Sequence, residues 1–179
     1  SVYGSAYGWQ IDQASEVAQL TQEIQSGTQT TRDPIYSMTA NAHGYNDIGN
    51  TYIEVDLSGQ HMYYYQDGSV IFESDIVSGD MRYADRQTPA GIYTLYYKKS
   101  PDVLRGKQLA NGKYEYETKV NYWMPFNGGI GFHDASWQPY FGGDRYLEGG
   151  SHGCINMPPD SAAELYNIIQ YNVPIVCFY

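Results

Sequence analysis

Six consecutive residues, Ser151-His152-Gly153-Cys154-Ile155-Asn156, form the densest cluster of reactive side chains in this 179-residue chain, and a second histidine, His133, lies upstream of them. A cysteine attacks as its thiolate, which becomes useful near neutrality when an imidazolium or a helix N-terminus lowers the thiol pKa to roughly 3.5–7.5. Histidine accepts and returns a proton in the same range. One base and one thiol on adjacent strands would make a Cys-His pair for acyl transfer. Gly153 would let the backbone approach a substrate closely, and amide N–H groups near Cys154 would stabilise a tetrahedral oxyanion. Asp134, directly after His133, is placed to orient the imidazole through its carboxylate or its main-chain carbonyl.

Other readings of the same residues stand beside this one. Cysteine is often a small buried hydrophobe, which is the expectation for Cys177. A Cys154–Cys177 disulfide would need an oxidising setting. His133, His152 and Cys154 would make three zinc ligands, but no second Cys at CxxC spacing and no HExxH pair accompanies them. His43 and His61 read as surface histidines. Trp137, Tyr140 and Phe141, between His133 and Ser151, are either a satellite hydrophobic cluster or a mobile wall over the thiol. Gly142-Gly143 and Gly149-Gly150 would serve that wall as hinges, making residues 134–150 a lid.

The elements that must position these residues change character near residue 49. In 1–48, Ile11, Val17, Ala18, Leu20 and Ile24 fall mostly on one helical face, with Asp12 as N-cap and Ser26-Gly27 as the stop. The polar Thr28–Pro34 and the stretch 41–50 read as linker or irregular chain. From Thr51 the period becomes two: Ile53, Val55 and Leu57 alternate with Tyr52, Glu54 and Asp56. Asp67-Gly68 predicts a type I′ hairpin between Met62–Tyr65 and Val70–Phe72. Further strands are expected at Ile76–Ser78, Gly91–Lys98, Tyr114–Val120, Tyr122–Phe126, Gly129–His133, Cys154–Met157 and Val173–Tyr179. Pro174 suits an edge strand or a first strand position. A helix capped by Asp160 or Ser161 should run to about Gln170. The expected fold is mostly β, with β-sandwich-like mixed sheets, one late helix and a short N-terminal helical segment.

Composition narrows the partners. Twenty Asp and Glu against ten Lys and Arg give a net charge of −10, which argues against nucleic acid and anionic membrane surfaces. Hydrophobic residues at 42% and aromatics at 16% supply a core, so disorder is not expected. The start, Ser1-Val2-Tyr3-Gly4, carries no initiator methionine and no signal-like segment. It suggests a processed or truncated product.

His133, seventeen intervening residues, then Ser151-His152-Gly153-Cys154-Ile155-Asn156 resembles the signature of the L,D-transpeptidase family, the bacterial cell-wall cross-linking enzymes of YkuD type. Thr88-Pro89-Ala90-Gly91-Ile92-Tyr93 looks like the family's Thr-Pro-x-Gly-x-Tyr strand, and Tyr52–Gln60 resembles its opening strand. The likeness covers residues 49–179. Tyr7–Asp12 resembles the end of the peptidoglycan-binding domain found upstream in Gram-positive members, so 1–48 would be the tail of such a domain plus linker.

The resemblance implies Cys154 as nucleophile, His133 as general base and then acid, Asp134 as its orienter, and Gly153 at the oxyanion region. Ser151, His152, Asn156, Trp137 and Tyr140 are expected at the substrate, with no metal and no cofactor. The implied partners are peptidoglycan stem peptides, a tetrapeptide donor and an amine acceptor, and carbapenem inhibitors. The implied reaction releases D-Ala and leaves a 3→3 cross-link, outside the cytoplasmic membrane, by a monomer. An L,D-carboxypeptidase, a non-catalytic wall-binding module and a metal-dependent amidase are the alternatives.

Overall fold

The computed structural model describes residues 7–43 and 46–179. The expectations for Ser1–Gly4 and for residues 44–45 of the irregular stretch lie outside the described residues. After Gly49 the chain divides into two compact units.

In the first unit, β1 (Gln10–Ile11) leads into α1 (Gln13–Ser26) and pairs antiparallel with β2 (Tyr36–Met38). Asp12 caps the helix, its carboxylate accepting from the Ser15 amide at 3.0 Å. Gly27 ends it in the left-handed conformation, at φ 65°, which costs glycine little. The polar stretch after the helix is not free linker. Arg32 folds back onto α1, 2.9 Å from Glu16 and 2.7 Å from Glu23, and β2 follows.

In the second unit, β3 (Tyr52–Asp56), β4 (His61–Gln66) and β5 (Ser69–Asp75) form an antiparallel meander. Asp67 and Gly68 both have positive φ, 52° and 81°, as a type I′ turn requires. The chain continues through β6 (Gly91–Thr94), β7 (Asp102–Arg105), β8 (Glu117–Val120), β9 (Trp123–Asn127) and β10 (Ile130–Asp134). Then come α2 (Arg145–Gly149), β11 (Ile155–Met157), α3 (Pro159–Ile168) and β12 (Pro174–Phe178). The larger sheet has the order β5-β4-β3-β12-β6, with β12 parallel to β3; the smaller is β11-β10-β9, with β10 and β11 parallel. Pro174 takes the first position of an interior strand, where its missing N–H is tolerated.

One core joins the two sheets. Ile53, Val55, Met62, Tyr64 and Phe72 come from the larger, Met124, Phe126, Phe132, Ile155 and Met157 from the smaller, and Ala162, Leu165 and Ile169 from α3 and its end. The fold is therefore mostly β, with mixed sheets and few helices, as the two-residue period implies.

Several boundaries differ from expectation. α3 starts at Pro159 rather than after Asp160 or Ser161, because proline at the first helical position has φ already set and no N–H to lose. Instead of a strand over 76–78, Val77 and Gly79 form isolated bridges, to Asn156 and Ser151. β6 stops at Thr94 and β8 begins only at Glu117. The β7 partner of β8, and the short α2, are additions to the expected set.

Candidate active site

The segment 151–156 is fixed along both edges. On one side Ser151 N–H donates to Ser78 O and Val77 exchanges both main-chain bonds with Asn156. On the other, β11 pairs with β10, setting His133 opposite Asn156. Cys154 therefore sits just before β11, beside the strand that carries His133. Ser151 stitches the turn internally: its hydroxyl accepts from Gly153 N–H at 2.9 Å and donates to Cys154 O at 2.6 Å. Gly153 has φ +115°, where an L side chain is strained, and a Cβ there would press on Ile130.

Thr88, the first residue of the Thr-Pro-x-Gly-x-Tyr stretch, clamps this turn from a distance. Its buried hydroxyl accepts from Gly79 N–H at 2.9 Å and donates to Gly153 O at 2.8 Å. Holding the Gly153 carbonyl directs the N–H of the same trans peptide, that of Cys154, the opposite way. Thr88→Val keeps the shape but leaves two buried backbone groups unpaired, at roughly 1–3 kcal/mol for such a group. Thermal denaturation should show a melting temperature lower by roughly 2–4 °C per kcal/mol lost; an unchanged midpoint would remove the clamp.

His133 is 4% exposed. Its Nδ1 lies 2.9 Å from Asp134 O. A carbonyl can only accept, so Nδ1 carries the proton and Nε2 the lone pair. Of the two ways Asp134 was expected to orient the ring, the main chain is the one used. The carboxylate instead accepts from Asn121 N–H, Asn121 Nδ2 and Tyr122 N–H at 2.8–2.9 Å. Trp123 and Trp137 flank the imidazole, with ring centroids at 6.1 and 5.8 Å. Burial pushes the His133 pKa below its ordinary value, against the smaller upward pull of the Asp134 carbonyl and carboxylate.

Cys154 is 8% exposed and packs with Val120, Trp123 and Leu104. Its Sγ donates to Gly129 O at 3.5 Å. Burial raises its pKa to about 11, opposed in part by a Gly131 backbone hydrogen bond. Burial thus works against the expected low-pKa thiolate, because desolvation penalises the charged forms of thiol and imidazole alike.

This has a sign in stability. With a folded pKa of about 11 against an ordinary 9.0, the native thiol holds its proton where the unfolded one has lost it. Its contribution is whole below pH 9 and is lost as pH rises towards 11. Two pH units of difference correspond to about 2.7 kcal/mol. Between about pH 8 and pH 11 the melting temperature of the wild type should therefore fall more steeply than that of Cys154→Ala; equal slopes would contradict the buried neutral thiol.

A cavity of about 430 Å³ opens onto the thiol. His133, Trp137, Ser151, His152, Cys154 and Asn156 all line it, so most of the residues singled out in the sequence converge. Two of the residues expected at the substrate have their hydroxyls engaged elsewhere. Tyr140 is outside the lining, half exposed, with its hydroxyl on Asp144 at 3.1 Å. The Ser151 hydroxyl, though at the wall, is already used twice within the turn. The Asn156 side-chain oxygen is buried without a hydrogen-bond partner among the described residues.

Sequence reasoning missed several wall residues: Arg82, Arg86, Leu104, Tyr116, Thr118, Gln138 and Arg145. Tyr116 packs on His152 with centroids at 4.7 Å. Its hydroxyl pKa is raised by burial and, secondarily, by the nearby Cys154 sulfur. Thr118 lies on β8 and Tyr116 just before it, within the expected strand Tyr114–Val120, whereas Leu104 lies on the unforeseen β7, whose signal was weak: two apolar residues between Asp102 and Arg105.

Two of the four glycines expected as lid hinges are tied to neighbouring backbone, while Gly143 has open space around it at φ +61°. Gly142 N–H donates to Ile76 O, and Gly150 lies against the Asp80 backbone with no room for a Cβ. Among the described residues no group of three His, Cys, Asp or Glu side chains converges as a metal site. Cys177 is a free, fully buried thiol on β12 in the larger sheet, and Cys154 is free as well.

The model of the YkuD family, described as the L,D-transpeptidase catalytic domain, matches residues 50–177. This chain belongs to the L,D-transpeptidase family. Among solved structures, a cysteine-to-serine mutant of the Enterococcus faecium L,D-transpeptidase is 42% identical, over 99% of this chain and 68% of that one, with a TM-score of 0.82. The catalytic domain of the E. faecium L,D-transpeptidase acylated by ertapenem is 46% identical, over 73% of this chain and 98% of that one, at a TM-score of 0.61. An L,D-transpeptidase from Mycobacterium smegmatis is 25% identical, over 73% of this chain and 59% of that one, at 0.59. A search of curated proteins gave no match.

Proposed function

We propose that this L,D-transpeptidase domain, residues 49–179, forms 3→3 cross-links in peptidoglycan through a thioester on Cys154. One observation carries the reading: Cys154 and His133 line the same cavity, and the His133 lone pair is on Nε2 because Nδ1 is bound to Asp134 O. As the thiol attacks the third-residue carbonyl of a stem tetrapeptide, Nε2 takes its proton and the S–C bond forms. The oxyanion is met on the side to which the Cys154 N–H is directed. The imidazolium then gives the proton to the departing nitrogen, the C–N bond breaks and D-Ala leaves. An amine on a second stem attacks the thioester, returning Cys154 to the thiol. A neutral pair suits this sequence, since the proton moves only when the substrate is in place.

Because peptidoglycan lies outside the cytoplasmic membrane, the same reading has the domain act there. The ertapenem-acylated relative supports carbapenems as acylating inhibitors of Cys154. Incubation with a disaccharide-tetrapeptide and mass analysis of the products tests the reading. A dimer with loss of D-Ala is expected; a bare tripeptide as sole product would make the domain an L,D-carboxypeptidase, and unaltered substrate would refute both.

A further inference from the structure

The cavity is cationic in an anionic chain. Three of the ten Lys and Arg residues, Arg82, Arg86 and Arg145, line it, against one carboxylate, Asp80. Two of the three are engaged. Arg82 holds Asp80 through two nitrogens, at 3.0 and 2.7 Å. Arg86 is 4.0 Å from Glu115 and lies over the Tyr83 ring at 4.5 Å. Arg145 has no carboxylate within 4.0 Å among the described residues. It is held by a neutral group instead: Nε donates to Gln138 Oε1 at 2.8 Å, and Gln138 Nε2 donates to Gly149 O at 3.1 Å. Its guanidinium lies against Gly149, where a Cβ would collide with it. A cation braced by an amide keeps its full charge for a ligand, and its orientation is already set before the ligand arrives.

The proposed reaction supplies that ligand. D-Ala, the leaving group, ends in a free carboxylate whose carbon lies within about 5 Å of the scissile carbonyl by standard backbone dimensions. Whatever neutralises it must therefore line the Cys154 cavity. We infer that Arg145 binds the C-terminal carboxylate of the donor stem, fixing the scissile amide over the thiol; this rests on the transpeptidase reading above. A planar guanidinium takes a carboxylate with two parallel hydrogen bonds. It thereby sets the direction of the peptide as well as its affinity.

The test compares D-Ala release from a stem tetrapeptide with release of alaninamide from its C-terminal carboxamide. The donor carries D-isoglutamine at the second position and, at the third, lysine or diaminopimelate amidated on its side-chain carboxyl, whichever the wild type turns over, so that the C-terminal carboxylate is the one left free. Wild type should prefer the acid by roughly 10- to 100-fold in kcat/KM, the worth of a charge-assisted pair. In Arg145→Gln that ratio should fall towards one. Gly149→Ala, which displaces the guanidinium from its seat, should lower the ratio in the same direction, and Arg145→Lys should keep part of it. A ratio unchanged in Arg145→Gln, including a parallel loss on both peptides, would overturn the inference while leaving the transpeptidase reading intact. Wild type inactive on every donor would refute the reading itself.

Discussion

Cys154→Ala should release no D-Ala above background, a loss on the order of 10⁶-fold if the sulfur carries the acyl group, as for other removed nucleophiles. The side chain is small and enclosed by Val120, Trp123 and Leu104, so alanine fits with little rearrangement and the fold should persist. Circular dichroism would confirm that. A carbapenem gives an independent readout, because intact-mass measurement reports the covalent step without turnover. Wild type should gain one adduct and Cys154→Ala none. Cys177, fully buried on β12 with its pKa pushed up to about 12 by burial, should remain unmodified in both. D-Ala release by the variant, or an adduct on it, would sink the assignment.

His133→Gln should slow acylation of Cys154 by roughly 10²–10⁴-fold, the usual contribution of a positioned general base. Glutamine can still donate to Asp134 O from a similar volume, so structure is preserved while the lone pair at Nε2 is lost. The pH profile gives the sharper distinction. Without a base, only thiol already ionised can react, and with its pKa at about 11 that fraction rises tenfold per pH unit through neutrality. Wild type, whose histidine pKa lies below the ordinary value, should be nearly flat over the same range. Stopped-flow acylation with a carbapenem across pH would show this. A variant with the wild-type rate, or with the wild-type profile, would remove His133 as base.

What the sequence disclosed and what it withheld divide along physical lines. That Cys154 and His133 would meet at one cavity was legible because the motif is a matter of residue type at fixed spacing. The hairpin at Asp67-Gly68 and the caps of α1 were legible because they are local: positive φ and an N-cap carboxylate are decided within four residues. β7 was not, since Asp102–Arg105 becomes a strand only by pairing with residues more than ten positions on. Arg82 and Arg145 share a cavity through tertiary folding alone, and an isolated cation carries no sign of its neighbours. The thiol illustrates the limit most clearly. Its neighbours in sequence suggested a stabilised thiolate, whereas its solvent exclusion, which no motif encodes, raises the pKa. Tyr140 is close to the motif along the chain, but its hydroxyl turns to Asp144.

In the proposed mechanism, the bond from His133 Nδ1 to Asp134 O makes the third member of the catalytic group a peptide carbonyl. Every amino acid supplies one. The histidine's alignment is thus indifferent to which residue follows it, unlike a triad whose third partner is an aspartate side chain. Aspartate at 134 answers to a different demand, closure of the turn at Asn121–Tyr122. Mutational tolerance at this position should therefore track folding yield, while the proton-transfer geometry stays written in the course of the main chain.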